Sequence, residues 1–344
     1  MKKRLYSGAI FIAILVLAFV LKATVHNYFF DAAILFIACV ASLEASKIFA
    51  KMGKYNHKIL ALIQPVFMML ALLLCLLYQR TLGLVYTIII AVGVIVLFFL
   101  ISFFTSLIMF KKTKAEIETR ELEHKLAKFS LIKALNTAVT FVYPSFMIMF
   151  LTLINHFEDM TASFGSFGGF GEKISLFVLI LAFLIPIFSD TFAYLVGGLF
   201  GGKKLAPKIS PNKTISGAVG GLFFCILLSI VTFFIFNSIP SMQVALASGG
   251  INVWKVAIIS MIGSVLGQLG DLFESYLKRS AGVKDSGKIM PGHGGILDRF
   301  DSHLFVAPFV FIAFCILFAV IWFCEVKWLF YISFLQSLCF YWWF

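Results

Sequence analysis

The sequence predicts an all-α, polytopic integral membrane protein of about nine transmembrane helices with its N-terminus in the cytoplasm. Three observations carry that prediction. Of 344 residues, 61% are hydrophobic and 13% charged, with a mean hydropathy of +1.03. Soluble domains carry roughly 45–50% apolar and about 25% charged residues, and so few charges cannot cover a water-soluble surface. Soluble, disordered and nucleic-acid-binding classes are therefore excluded. Uninterrupted apolar runs recur at the length of a membrane span, about 20 residues. Finally, lysines and arginines concentrate on alternate connections, as inward-facing loops do.

The spans follow in order. Leu5–Leu21 comes first; it is long for a secretory leader and no small-residue cleavage pattern follows, so it reads as a retained helix. The second, about Phe29–Ser46, carries Asp31 and Glu44 near its ends. Next come Ile59–Gln79, Thr81–Phe110 and Ala134–Phe157, all uncharged, and Ile174–Phe200, interrupted by Asp190. The uncharged stretch Thr214–Trp254 holds a span ending near Phe236 and a loop around Pro240. A helix then runs from about Val253 into Asp271, and Leu304–Cys324 is the ninth span. The aromatic tail 328–344 is either a tenth, short span or a segment lying at the interface.

With the N-terminus inside, 23 of the 28 basic residues fall on inner segments and 5 on outer ones. That asymmetry accounts for most of the +12 formal charge as topology rather than affinity for nucleic acid. The inner segment 111–133 is polar and helical in pattern. Thr113 and Glu116 form a capping box, and Glu121 with Lys125 is a favourable i,i+4 pair. Cysteines 39, 75, 225, 315, 324 and 339 all fall in apolar segments without CxxC spacing, as buried small hydrophobes rather than disulfide or zinc ligands.

Ionisable residues inside a membrane are costly and mark function by default. Asp190 qualifies, in Ser189-Asp190-Thr191. Its span ends in the glycine-rich segment 197–202, and then Ser210-Pro211-Asn212-Lys213-Thr214 precedes a helix expected to begin near Thr214. A helix N-terminus with a neighbouring lysine favours an anion. The densest cluster lies between Asp271 and Ser302. Asp271 and Glu274 are i,i+3 on one helix face, with Lys278 two turns on, and Asp298, Asp301 and Ser302 repeat the pattern. Two carboxylate-bearing helix ends joined by the loop Pro291-Gly292-His293-Gly294-Gly295 could place hard oxygen ligands around a cation such as Mg²⁺. Lys278, Arg279, Lys284 and Arg299 would neutralise phosphate. The residues alone point to phosphate chemistry at the cytoplasmic face. Glycines spaced by four, Gly197/Gly201, Gly217/Gly221 and Gly263/Gly267, allow close helix approach within one chain or between protomers.

At these residues the chain resembles the phosphatidate cytidylyltransferases (CDP-diacylglycerol synthases). The resemblance rests on Ser275-Tyr276-Leu277-Lys278-Arg279, Lys284-Asp285-Ser286-Gly287 and the run from Pro291 to Ser302. Ser189-Asp190-Thr191 and Ser210–Thr214 also match family patterns. Met290 stands where the family usually has Leu, Ile or Phe, and Ser216 where an acid or amide is common.

The resemblance implies a Mg²⁺-dependent, dimeric enzyme, with or without a second cation, that transfers CMP from CTP to phosphatidic acid at the inner face of the cell membrane. It implies Asp298, Asp271, Asp190, Lys278, Arg299 and His293 as catalytic, with Asp271, Asp298, Asp301 and Glu274 as metal ligands. Ser210, Lys213, Thr214, Arg279, Lys284, Asp285, Gly294 and Gly295 would hold substrate. The domain reading is then 1–133 for N-terminal membrane helices with the amphipathic segment, 134–327 for a catalytic membrane domain, and 328–344 for the tail. Two alternatives stand. One is a related cytidylyltransferase acting on an isoprenoid ether lipid phosphate. The other is an ion-coupled transporter, which would favour acids at the bilayer midplane and an internal repeat.

Overall fold

The computed structural model describes residues 2–52, 58–74, 135–157, 171–290, 292 and 294–318, with isolated positions between 76 and 132. Most of the predicted span Thr81–Phe110, the amphipathic segment 111–133, the tail 328–344 and His293 lie outside the described residues. The described residues are mostly helical, with one two-stranded hairpin among them. In order, the elements are α1 (Lys2–Thr24), α2 (Tyr28–Lys51), α3 (Lys58–Leu74), α4 (Leu135–Asn155) and α5 (Gly171–Phe200). They continue with β1 (Lys204–Ala206), β2 (Ser210–Thr214), α6 (Ile215–Asn237), α7 (Pro240–Ser248), α8 (Val253–Ser280) and α9 (Leu297–Phe318).

Among the described residues, six helices (α2, α4, α5, α6, α8 and α9) are long and apolar enough to cross a membrane. Two shorter apolar helices, Gly8–Thr24 and Lys58–Leu74, fall on the first and third predicted spans. This is the pattern of a multi-pass membrane protein.

Three local expectations need correction. The chain expected to be all-α carries a hairpin after α5, pairing Lys204 with Thr214 and Ala206 with Ser210. The chain around Pro240 forms α7, with the proline in its first turn, where its missing N–H is not needed. The last span begins at Leu297 instead of Leu304, so the helix start expected to carry Asp298 and Asp301 is the first turns of the apolar span itself. The helix expected from about Val253, with Asp271, Glu274 and Lys278 on one face, runs to Ser280.

Small residues set the packing around the site. A Cβ on Gly217 would lie 2.5 Å from the Ala193 carbonyl oxygen, and one on Gly221 2.6 Å from that of Ser189. The backbones of α5 and α6 therefore touch, as small residues permit in membranes. Gly270 makes the same approach from α8 to α9, where a Cβ would sit 2.7 Å from the Asp301 carbonyl oxygen. Gly263 faces Ile185 of α5, and Gly267 faces Val306 and Ser302 of α9. The glycine contacts the sequence left undetermined include these within one chain. Gly201 behaves differently. It has φ +60 and ends α5, its N–H returning 3.0 Å to the Gly197 carbonyl. On the other side, Phe19, Phe30 and Phe183 meet edge to face and tie α1 and α2 to α5.

Candidate functional site

The C-terminal halves of α2, α5 and α8 and the starts of α6 and α9 gather the predicted acids. A cavity of about 500 Å³ opens there between α5, the hairpin, α6 and α8, within the usual range of small-molecule sites. Asp190, Lys213, Thr214 and Asp271 line it, together with Lys204, Asn212, Tyr194 and Gln268. Lys213 of β2 forms an ion pair with Asp271 of α8. Thr214 caps α6 as expected, its hydroxyl accepting the Gly217 N–H at 3.1 Å. The α6 N-terminus, two lysines and two carboxylates thus line one chamber, with Lys213 and Asp271 in contact. This suits an anion carried with a cation.

Gln268 gave no signal in the sequence. Its amide donates to the Ser189 hydroxyl (3.2 Å) on α5 and the Ala218 carbonyl (3.1 Å) on α6, so one side chain fastens three helices beside the cavity. Ser189 also shares a 2.8 Å hydrogen bond with Ser264.

Beyond Asp271 the polar residues form a continuous chain. Glu274, fully buried, pairs with Lys278 one turn along α8. Lys278 Nζ also lies 2.6 Å from Asp298 Oδ1, closing α8 on α9. The other oxygen, Asp298 Oδ2, accepts from Gly295 N (2.7 Å), Ser286 N (2.9 Å) and Ser286 Oγ (2.8 Å). Gly294, at φ +88, allows the loop to reach this carboxylate. Asp190 Oδ2 accepts from the Ser302 hydroxyl at 2.9 Å, and the Ser302 N–H bonds Asp301 Oδ1 at 2.7 Å. Asp301 lies within electrostatic reach of Asp271, Glu274 and Asp190. The i,i+3 acids on two helices, read from spacing, therefore meet in space.

The remaining predicted residues spread around this centre. Lys284 and Asp285 line a second cavity, of about 520 Å³, with Lys47, Lys51, Ser286 and Lys288. Arg279 is exposed and donates to the Ile209 carbonyl at 3.4 Å, bracing the hairpin from the end of α8. Ser210 stands on β2 outside the lining of the first cavity, and Arg299 is exposed on α9. Two more residues went unread. Tyr143 of α4 is buried against Phe273, with ring centroids 5.1 Å apart, among the fields of Glu274, Asp301, Asp298 and Asp271. Glu44 of α2 reaches Ser286 and Leu297.

Five carboxylates thus share one buried region: Asp190, Asp271, Glu274, Asp298 and Asp301. Lys213 and Lys278 pair with three of them. Among the described residues no three acids, histidines or cysteines converge as a ready-made metal cage. Mg²⁺ rarely needs one, since it is held by one or two carboxylates plus water and substrate phosphates. Hard oxygen donors carrying more negative charge than the two lysines offset fit such a cation.

Fold and site together define a polytopic helical protein with a charge-dense, phosphate-suited chamber at one end of its bundle. The cytidylyltransferase family profile matches residues 2–318. A phosphatidate cytidylyltransferase from Staphylococcus haemolyticus (strain JCSC1435) is 42% identical over 177 residues, which is 48% of this chain and 64% of that protein. One from Staphylococcus aureus (strain COL) is 44% identical over the same length and shares. The chain spans 64% of the length of these curated relatives. It belongs to the cytidylyltransferase family.

Proposed function

We propose that the protein is a phosphatidate cytidylyltransferase, transferring CMP from CTP to phosphatidic acid to give CDP-diacylglycerol and pyrophosphate. One observation carries this reading. An anion-suited cavity lined by Asp190, Lys213 and Asp271 adjoins the Lys278–Asp298 centre at the end of the spanning helices. A nucleotide from water and a lipid phosphate from the bilayer could meet there. Family membership and the printed activity of the relatives point the same way.

In this reading the triphosphate lies in the first cavity, with Lys213 and Lys204 and the α6 N-terminus facing its oxygens. Asp298 and Asp271, with Asp301 and Glu274 supporting, would hold Mg²⁺, which would neutralise phosphate charge. The lipid phosphate is ionised near pH 7, so it attacks the α-phosphorus without a strong general base, and pyrophosphate leaves. The chain's own contribution is orientation and electrostatics. Asp190 and Gln268 fix the cavity wall, Lys278 holds Asp298 in place, and Arg279, Arg299 and Lys284 supply positive charge around it. A homodimer completes the proposal, with its active site at the cytoplasmic face of the cell membrane; the distribution of basic residues supports that orientation.

The test is CTP turnover by the purified chain in detergent with Mg²⁺ and a panel of acceptors. Phosphatidic acid should yield the nucleotide-linked lipid. Turnover only with an isoprenoid ether lipid phosphate, or with none of the acceptors, would overturn the reading.

A further inference from the structure

We propose that Glu44, on the second helix and 253 residues before its main partner, is a positioning residue that sets the Asp298 carboxylate for catalysis. The inference rests on the cytidylyl-transfer reading above. Glu44 is 1% exposed within a largely apolar helix, where a buried carboxylate is costly unless it is hydrogen-bonded. Its Oε2 accepts the Leu297 N–H at 2.8 Å and lies 3.3 Å from the Ser286 hydroxyl. Leu297 opens α9, so its N–H has no partner within that helix and Glu44 supplies one.

Ser286 is the link. The same hydroxyl lies 2.8 Å from Asp298 Oδ2, and a serine has one proton to donate. Glu44 and Asp298 therefore share one hydroxyl, and the loop carrying it is fixed from both sides. The glycines show how closely that loop is applied. A Cβ on Gly287 or on Gly295 would lie 2.6 Å from Glu44 Cδ, and one on Gly295 would also overlap the Ser286 hydroxyl. Gly295 in turn donates its N–H to Asp298. Glu44 thus sits behind all three groups that bond Asp298 Oδ2. A shift in its carboxylate would move Ser286 and Gly295, and with them the Asp298 carboxylate they hold.

The test uses the full chain in detergent, with initial rates at varied CTP and thermal unfolding measured alongside. Glu44→Ala should lower kcat about 10- to 100-fold, as loss of an outer partner of a site ligand does, with KM for CTP changed less than about threefold. Glu44→Gln keeps the size and a carbonyl acceptor for Leu297 and should recover about tenfold of that loss. A second variant approaches from the loop. Gly287→Ala pushes the Glu44 carboxylate without removing it and should lower kcat about tenfold. Glu44→Asp, one methylene shorter, should restore at least about threefold when combined with it. Either of two results would remove the inference alone: a folded Glu44→Ala protein with kcat within about twofold of wild type, or Glu44→Asp failing to relieve Gly287→Ala. Should Glu44→Ala not fold, the Gly287 pair decides. A wild-type chain that does not turn over CTP would remove the transfer reading and this inference with it.

Discussion

Carboxylates are buried at both ends of the bundle, and they are treated differently. At one end, Asp31 of α2 takes a 2.9 Å hydrogen bond from Asn155 and lies 2.7 Å from His156 Nε2. Lys22 joins the cluster through Asn27 at 2.9 Å. Both carboxylate oxygens are matched, and neither cavity described above touches them. At the other end, five acids share a region with two directly paired lysines, and two of them, Asp190 and Asp271, open onto the first cavity. A satisfied carboxylate ties helices together. An excess of carboxylates beside accessible space is arranged for something that arrives. Charge balance and access, not burial, separate the two.

Substitutions at each end test that distinction. The largest effect is expected for Asp298→Asn, which removes the charge that Lys278 and three donors organise. kcat should fall about 100-fold or more, read from product formation at saturating CTP. Near-wild-type turnover by folded protein would break the comparison at its centre. Lys278→Met should abolish activity comparably, and it also leaves Glu274 buried beside Asp298 without its cation. A stability loss of about 3 kcal/mol is expected, seen as a lower unfolding midpoint in detergent. Asp271→Asn should act mainly through the nucleotide, lowering kcat/KM for CTP about 10- to 100-fold by freeing Lys213. Smallest in activity is Asp31→Asn at the opposite end. It should cost about 1–3 kcal/mol of stability while kcat stays within about twofold. A large drop in kcat there would mean that the outer cluster is not merely a tie between helices.

The sequence disclosed much of this site because its acids recur at helical spacing. Asp271 with Glu274, and Asp298 with Asp301, fall on shared helix faces by their spacing alone. Thr214 likewise carried the sign of a cap. What stayed hidden depends on partners remote in the chain. Glu44 reads as one more charge at the end of a span, since nothing nearby shows that it meets Leu297. Gln268 and Tyr143 carry no charge at neutral pH and sit in apolar runs. The hairpin escaped because β1 is 3 residues long and β2 is 5, and Pro211 argues against a strand except at an edge. The last span was placed late for a related reason: hydropathy starts a helix where charges stop, whereas α9 carries Asp298 and Asp301 inside its first turns.

The most direct measurement follows the phosphorus of CTP. The purified chain is incubated with phosphatidic acid, Mg²⁺ and CTP labelled on either the α- or the γ-phosphate. Cytidylyl transfer predicts that the α-label enters the lipid product and the γ-label leaves as pyrophosphate. γ-Label in the lipid, or no lipid labelling from either position, would contradict it.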